Sequence, residues 1–474
     1  MRDASSLAVE LHARVNGKWL ADGPYDDIIL TGHSLGGLLV RQAYLIGCEE
    51  AVANNARPGW ANVVSRIILL AAVNRGADPR VRLDVRVASL LSQILFPLRR
   101  LLLAQILRGS SFITNLRIEW IRHFAKPEGR TPIVVQILGT RDSLVSRDDS
   151  IDIEQFADSY IIDIPDANHE NLFQLQGIEE PEVRYALLRD AFVHNQPTVG
   201  ENREFKGPDS IVMIMHGIRA DNKTWVRKTK EDIEKSKPSV LAIAPEHEYL
   251  SALRFAIPLT RRRHLNWFQD AYSEALAKNP EAKFQFIGHS NGTYLFGQSL
   301  KTIPGMRFER AVLLASVLPR TFDWTKCEQR NQIAALRVDG GNRDWPVGLL
   351  CSGLRGLGMR DVGTGGFLGF TQTGTLPVHE VFWHDGGHSA PTADDNLPSV
   401  VSFVVEGDIG GNVVPTGRRI GWFAFLGRAM VVIAPLIILG VLGSLIYSLW
   451  MHDAQAGLVS VGVLLMVVAF LEFF

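Results

Sequence analysis

Two serines stand in the pattern Gly-x-Ser-x-Gly, which is suited to nucleophilic catalysis. The first is Ser34 in GHSLG, and the second is Ser290 in GHSNG. Each pentapeptide follows an apolar, strand-like run and precedes an apolar, helix-like run, which is typical of a sharp turn that lifts a serine above a sheet. Glycines flank such a serine because the turn strains its backbone and larger neighbours would clash with the strand and helix. Each serine is therefore predicted to be a nucleophile of acyl transfer or the relic of one.

A serine hydroxyl becomes a useful nucleophile when a histidine takes its proton and a carboxylate orients that histidine. Each serine is followed by both residue types, near the ends of later strand-like runs. The predicted catalytic groups are Ser34, Asp142 and His169 in the first half of the chain and Ser290, Asp344 and His388 in the second half.

Other ionisable residues lie close to these groups in the sequence. Asp148 and Asp149 compete with the first carboxylate, and Asp339 competes with the second. Helix capping or turn formation is the alternative role of such aspartates. His33 and His289 directly precede the serines, and we predict that they are packing residues whose side chains face away from the catalytic histidine.

Acyl transfer also needs backbone N–H groups that bind the developing oxyanion. One donor is the residue after the nucleophile, which is Leu35 or Asn291. The second donor comes from a loop after an earlier strand, often marked His-Gly, and Gly217 and Ile218 supply such a loop before the second serine. Only a helical segment, residues 5–20, precedes the first serine. Because losing one donor typically costs about 100- to 1000-fold in turnover, we expect the second site to be the more active.

Strand-like runs alternate with helical runs around both serines, which predicts parallel sheets of an α/β fold. The serines lie 256 positions apart (290 − 34), about one domain length, and matching runs follow each of them. The predicted domains are an incomplete unit at 1–193, a linker at 194–208, a second unit at 209–407, a juxtamembrane segment at 408–428 and two transmembrane helices at 429–474.

With these motifs, both units resemble the α/β-hydrolase superfamily, in which Ser, Asp and His follow in this chain order. The resemblance covers nearly all of residues 20–405. The first unit, with GHSLGG, NRGA, GTRDSLVS and NHENL, is similar to lipases and esterases, including those that deacylate lipid-linked glycans. The resemblance implies a serine hydrolase that cleaves an ester, thioester or amide and needs neither cofactor nor metal.

The C-terminal region is strongly apolar. Residues 430–450 carry no charge, and about 20 apolar residues span a bilayer core. A shorter run, 458–474, predicts a second span and thus a helical hairpin. Arg418, Arg419 and Arg428 precede the first run and no Lys or Arg follows it, so the positive-inside rule places both hydrolase units in the cytoplasm. The bilayer and a lipid or other hydrophobic acyl substrate are the expected partners.

The region before the first serine is short for this superfamily. With no strand before Tyr25, the strand that leads to Ser34 becomes a sheet edge with unpaired N–H and C=O groups. We therefore expect either that the natural protein starts upstream of Met1 or that the second unit or a second copy of the chain covers this edge.

Four further features of the sequence bear on the surroundings of the sites, the partners and the compartment. Residues 81–107 combine leucines with arginines, which suits a lid over an apolar substrate or an ordinary covering helix. Residues 353–370 are rich in glycine and predict a flexible loop near the second site. The net charge of −1 gives no reason to expect a nucleic-acid partner. Three widely spaced cysteines fit a reducing compartment.

A second functional hypothesis belongs to another class. The chain is then a hydrolase-like module of weak or no activity that binds partners at the membrane. Labelling with a fluorophosphonate separates the two hypotheses because that probe reacts with an activated serine whatever its substrate.

Overall fold

A computed structural model describes most of the chain: residues 3–54, 59–78, 102–125, 131–150, 159–193, 207–218, 225–245, 251–376, 381–408, 417–451 and 454–473. Its internal contacts divide into two compact units. The first comprises Met1–Gly207 and Gln269–Glu281, and the second comprises Pro208–Phe268 and Ala282–Phe474.

The first unit is built on a four-stranded, all-parallel sheet whose spatial order follows the sequence. Its strands are β1 (Ile28–His33), β2 (Val64–Leu70), β3 (Ile133–Gly139) and β4 (Ser159–Ile164). Its helices are α1 (Ala4–Asp22), α2 (Leu35–Asn54), α3 (Leu102–Gln105), α4 (Ser111–Ala125), α5 (Arg147–Ser150) and α6 (Pro181–Val193), with a 3₁₀ turn at Trp60–Val63. The long apolar runs of β2 and β3 fit this arrangement because parallel strands are buried on both faces.

The strand that leads to Ser34 is an edge, as the sequence predicts. In the described part of the first unit β1 pairs with β2 alone. Burial alternates along β1, and Ile29 is 38% exposed, whereas every residue of β2 except Ser65 is buried. Coverage of this edge by a second copy of the chain stays a prediction.

The second unit contains a larger parallel sheet, of spatial order β10-β9-β8-β7-β5-β6. Its strands are β5 (Ser210–Met215), β6 (Val240–Ile243), β7 (Lys283–His289), β8 (Phe308–Leu314), β9 (Ile333–Gly341) and β10 (Phe382–His384). β7, which leads to Ser290, lies between β5 and β8 and is buried from Phe284 onward. The two parallel-sheet units agree with the predicted α/β class.

The helices of the second unit include two long apolar ones at the C-terminal end. Those before them are α7 (Trp225–Ser236), α8 (Ala252–Ala256), α9 (Pro258–Lys278), α10 (Asn291–Thr302), α11 (Trp324–Gln329), α12 (Cys351–Gly356), α13 (Gly365–Leu368) and α14 (Leu397–Glu406). Of α9, only the part up to Phe268 belongs to the second unit, since its residues from Gln269 onward are grouped with the first. A π-helical turn, Pro346–Leu350, precedes α12, and a 3₁₀ turn covers Ala390–Thr392. The last two helices are α15 (Gly421–Met451) and α16 (Ala454–Phe473).

Among the described helices, one is long and apolar enough to cross a membrane by length and composition: the part of α15 from Gly421 to Ser448. The second predicted span lies in α16, where the apolar stretch Gly457–Val467 is shorter. The structure therefore offers one candidate span, and the hairpin stays a prediction.

Other predicted regions fall partly or wholly outside the described residues. The predicted lid at 81–107 is described only from residue 102, where α3 begins. The predicted linker is described only at residues 207 and 208. The predicted domain boundaries stay predictions. One segment is grouped differently: the predicted boundaries assign Gln269–Glu281 to the second unit, whereas its contacts place it in the first unit.

The grouping of Gln269–Glu281 has an electrostatic basis. The guanidinium of Arg117 is 1% exposed and donates to Asp270 Oδ1 at 3.3 Å, Ser273 Oγ at 2.8 Å and Glu274 Oε1 at 2.9 Å. Arg75 also donates to Glu274, through Nε at 3.0 Å. Burial raises the pKa of the Glu274 carboxyl, but Arg117 and Arg75 outweigh it and hold that pKa below its ordinary value.

The Gly-rich segment is not a loop throughout, which corrects part of the sequence-based prediction. Its residues 353–356 belong to α12 and Gly365–Leu368 form α13, and its glycines let backbone approach backbone. A Cβ on Gly366 would clash with the backbone N of Ser316, and one on Gly365 would lie 2.8 Å from the carbonyl O of Leu318. Glycine is required here by close packing rather than by mobility.

Replacing Glu274 by glutamine should destabilise the first unit by about 3 kcal/mol, because removing one partner of an ion pair leaves the buried Arg117 guanidinium under-compensated. Thermal unfolding of the full chain measures this loss. The control is Glu281→Gln, in the same segment, where the side chain is exposed. Equal melting temperatures for both variants would contradict a stabilising role for the pair.

Candidate active site

Ser290 lies in a strained turn between β7 and α10. Its backbone has φ 52° and ψ −117°, a conformation rarely adopted by residues with side chains. Its N–H donates to the carbonyl O of Leu314 on β8 at 3.0 Å, which fixes the turn to the sheet. A Cβ on Gly292 would lie 2.6 Å from the carbonyl O of Met215, so only glycine fits there. The turn therefore has the geometry that the Gly-x-Ser-x-Gly pattern predicts.

His388 and Asp344 form a hydrogen-bonded pair in the loops that follow β10 and β9. His388 Nδ1 lies 3.0 Å from each carboxylate oxygen of Asp344, and the Asp344 side chain is 1% exposed. The carboxylate also accepts the backbone N–H of Val347 at 3.0 Å. Because a carboxylate accepts hydrogen bonds, Nδ1 carries the proton and leaves Nε2 of His388 unprotonated and able to act as a base.

The competing carboxylate, Asp339, belongs to a different buried cluster. It accepts two hydrogen bonds of 2.7 Å from Arg337 and one of 2.8 Å from His384 Nε2. Burial raises the pKa of Asp339, but the charge of Arg337 and the bond from His384 outweigh it and lower that pKa below its usual value. The structure thus pairs His388 with Asp344 and leaves Asp339 to Arg337.

His289 packs against His388, so the prediction that its side chain faces away from that histidine is wrong. The two rings have centroids 4.7 Å apart, and His289 Nε2 lies 3.1 Å from the backbone carbonyl O of His388. Complete burial, helped by the nearby His388, lowers the pKa of His289 to about 3. His289 is therefore neutral at pH 7 and donates from Nε2, which holds the backbone of His388 in place.

The predicted oxyanion loop lies beside Ser290. A Cβ on Gly217 would approach Ser290 Cβ to 2.8 Å and Ser290 Oγ to 3.4 Å, so the loop contacts the serine only because residue 217 is glycine. His216 Nδ1 donates to the carbonyl O of Gly217 at 2.8 Å and stiffens the loop. Asn291 begins α10, where backbone N–H groups lack intrahelical acceptors.

A cavity of about 850 Å³ joins these groups. Ser290, His388, Asn291 and Ile218 all line it, and Trp345 lines it as well. The volume is within the range of small-molecule sites. Ser290, His388 and two residues predicted to bind the oxyanion, Asn291 and Ile218, thus border one cavity.

The first unit repeats the serine turn and the histidine–carboxylate pair. Ser34 has φ 53°, and its N–H donates to the carbonyl O of Leu70 at 2.8 Å. His169 Nδ1 lies 2.9 Å from Asp142 Oδ2, and the other oxygen of Asp142 accepts the N–H groups of Leu144 and Val145 at 2.8 Å each.

The alternatives to Asp142 are engaged elsewhere. Arg108 binds Asp148 at 2.9 Å and Asp149 at 2.6 Å. His33 packs against His169, with ring centroids 4.8 Å apart and its Nε2 3.0 Å from the carbonyl O of that histidine. The prediction that His33 faces away is therefore also wrong, since both units use the residue before the serine to contact the histidine.

The two units differ in the residues predicted to bind the oxyanion. Leu35 begins α2, as Asn291 begins α10. In the described residues of the first unit, however, no strand lies beyond β1 in the position that β5 occupies beside β7. The first unit thus lacks, within this described part, a loop equivalent to Gly217 and Ile218.

Sequence reasoning missed the histidine contacts and the cavity wall. His289 and His388 are 99 positions apart, and no local pattern indicates their contact. Leu354 lines the cavity from within the segment predicted to be a flexible loop, and Leu350 and Cys351 line it from just before that segment.

No family model and no curated protein matches the chain. The chain is similar to solved structures of hydrolases, each covering less than half of it. Fluorophosphonate-binding serine hydrolase F of Staphylococcus aureus is 16% identical over 45% of this chain and 87% of its own, with a TM-score of 0.29. An S-formylglutathione hydrolase from Agrobacterium tumefaciens is 11% identical over 42% and 82%, with a TM-score of 0.28. The esterase domain of a Rhodothermus marinus protein is 11% identical over 42% and 87%, with a TM-score of 0.27.

The lowered pKa of His289 predicts a pH-dependent stability. Below about pH 6.5 the unfolded chain binds a proton at this histidine, whereas the folded chain keeps it neutral until about pH 3. Stability is therefore lost as the pH falls, by about 2 kcal/mol between pH 7 and pH 5 from this group. His289→Gln keeps a donor for the carbonyl of His388 but cannot titrate. Melting of the variant should fall less over this range than melting of the wild type, and parallel curves would contradict the assignment.

Proposed function

We propose that the second unit is a serine hydrolase that cleaves an ester, thioester or amide through an acyl-serine intermediate. The observation that carries the proposal is the convergence on one cavity of the strained Ser290, the His388 that is paired with Asp344, and the loop at Gly217 and Ile218. The catalytic roles of these residues are part of the proposal.

The proposed reaction proceeds in two halves. Ser290 Oγ attacks the substrate carbonyl carbon as His388 Nε2 takes the hydroxyl proton, and the backbone N–H groups of Asn291 and Ile218 bind the oxyanion. Collapse of the tetrahedral intermediate breaks the bond to the leaving group, which receives the proton from His388. A water molecule, deprotonated by His388, then attacks the acyl-serine and releases the acid and the free serine.

Asp344 and His289 act on His388 rather than on the substrate. The Asp344 carboxylate holds the Nδ1–H tautomer and stabilises the imidazolium that forms in each half-reaction. His289, neutral and hydrogen-bonded to the His388 backbone, adds no positive charge beside that imidazolium. We therefore assign His289 a positioning role.

For the first unit we propose a weak hydrolase or a binding module. The strained turn at Ser34 and the pair formed by His169 and Asp142 repeat features of the second unit, but Leu35 is the one predicted oxyanion donor in the first. A missing donor costs about 100- to 1000-fold in turnover. This asymmetry favours the second hypothesis, a hydrolase-like module of weak or no activity, more for the first unit than for the second.

We also propose that the chain is anchored in a membrane with its hydrolase units in the cytoplasm. The support is the apolar helix Gly421–Ser448 and the arginines that precede its apolar part. Arg320 lies near Arg428 and Arg419, and these three arginines concentrate positive charge at the start of this helix. Burial and repulsion from Arg428 and Arg419 therefore lower the pKa of Arg320. A second span in α16 completes the proposed hairpin, and a lipid or hydrophobic acyl compound is the proposed substrate.

Ser290→Ala should abolish nearly all hydrolysis of nitrophenyl esters and nearly all labelling by a fluorophosphonate. Ser34→Ala should leave both nearly unchanged, because the first site is expected to contribute about 1% or less of the turnover. The two alanine variants are matched controls for each other. If Ser34→Ala alone silences the protein, the ranking of the two sites is wrong.

Protease added outside sealed, right-side-out cells should leave residues 1–407 intact, because the positive-inside rule places the hydrolase units in the cytoplasm. Permeabilising the cells is the control and should allow digestion. Digestion of the hydrolase units in sealed cells would show the opposite orientation.

A further inference from the structure

Two short helices that line the cavity also pack against the apolar C-terminal helices. α12 contributes Cys351 and Leu354 to the cavity lining, and α8 contributes Ala252 and Phe255. α12 packs on α15, and α8 packs on α16. The layer formed by α8 and α12 therefore has the cavity on one side and the proposed membrane anchor on the other.

The contact of α12 with α15 depends on glycine. A Cβ on Gly353 would lie 3.2 Å from Ala434 Cβ, and a Cβ on Gly356 would clash with the carbonyl O of Val431. One turn earlier, a Cβ on Gly348 would lie 2.9 Å from an aromatic carbon of Phe423. Since packed helix axes lie about 8–10 Å apart, a single helix layer separates the cavity from α15.

This contact lies at the start of the apolar run. Val431 and Ala434 belong to its first two turns, and Arg428 lies immediately before them. In a helix that crosses a bilayer, such a position is at the boundary between the headgroups and the hydrocarbon. If α15 crosses the bilayer, α12 therefore lies at the membrane surface, because it contacts α15 at this boundary.

The cavity itself is amphiphilic. The side chains of Phe255, Cys351 and Leu354 on this wall are between 4% and 9% exposed. Another part of the lining is charged and includes Lys228, which is paired with Asp394 at 3.0 Å. An apolar chain on one side and a polar group on the other fit this lining.

We infer that the cavity takes its substrate from the bilayer, as an ester or thioester of a long acyl chain that resides in the membrane and lies against the wall formed by α8 and α12. This inference rests on the proposed function of the second unit. It adds that the anchor positions the site for its substrate instead of only holding the protein at the surface.

The test uses the full chain in phosphatidylcholine vesicles with two probes, p-nitrophenyl palmitate, which partitions into the bilayer, and p-nitrophenyl butyrate, which dissolves in water. Gly356→Val should separate α12 from α15 and lower the ratio of palmitate to butyrate turnover about tenfold, because both esters use the cavity but only the membrane substrate also depends on this alignment. Gly440→Val is the matched control on the same apolar helix, where an added Cβ meets nothing within 4 Å.

A second variant approaches the same contact from the membrane side. Ala434→Leu enlarges the residue that faces Gly353 and should reproduce the selective loss. Fluorophosphonate labelling of each variant reports whether the serine site is intact. Equal effects on both esters in both variants, or no effect on palmitate turnover, would overturn the inference. A wild-type protein that neither reacts with the fluorophosphonate nor hydrolyses butyrate would instead refute the proposed function.

Discussion

The strained serine turn is the constraint on which both units depend. A positive φ at Ser34 and Ser290 costs free energy that only surrounding structure can offset. In the second unit that structure is β8, which accepts the Ser290 N–H, and β5, whose Met215 carbonyl lies against Gly292. The central sheet thus holds the backbone of Ser290 in a conformation that the isolated chain would avoid.

The same support explains how two similar sites come to differ. Both units hold a histidine by a carboxylate at Nδ1 and by a neighbouring imidazole at its backbone carbonyl. Only the second unit has a described strand, β5, on the far side of the serine strand. That strand ends at Met215 and leads into His216 and Gly217, so β5 brings this loop beside Ser290 and also gives β7 a neighbour on both sides.

Features determined by local sequence could be predicted, and those determined by distant packing could not. Alternating apolar runs and the Gly-x-Ser-x-Gly pattern indicated the strands and turns because these depend on neighbouring residues. The contact of His289 with His388 and the pairing of Asp339 with His384 depend on which strand ends meet in space. The glycines near residue 366 suggested mobility, yet they are sites where backbones touch, since composition does not distinguish the two uses of glycine.

The electrostatic cluster around Arg117 has a consequence for how the protein is made. Synthesis proceeds from the N-terminus, and domains generally begin to fold as they emerge. The ribosome completes residue 207 well before it adds Asp270 and Glu274, the carboxylates that neutralise the buried guanidinium of Arg117. Until then this arginine has no partner from that segment, so the first unit cannot reach its final electrostatic balance. The first unit can therefore complete its folding only after the ribosome has made α9, which follows the first strands of the second unit in the sequence.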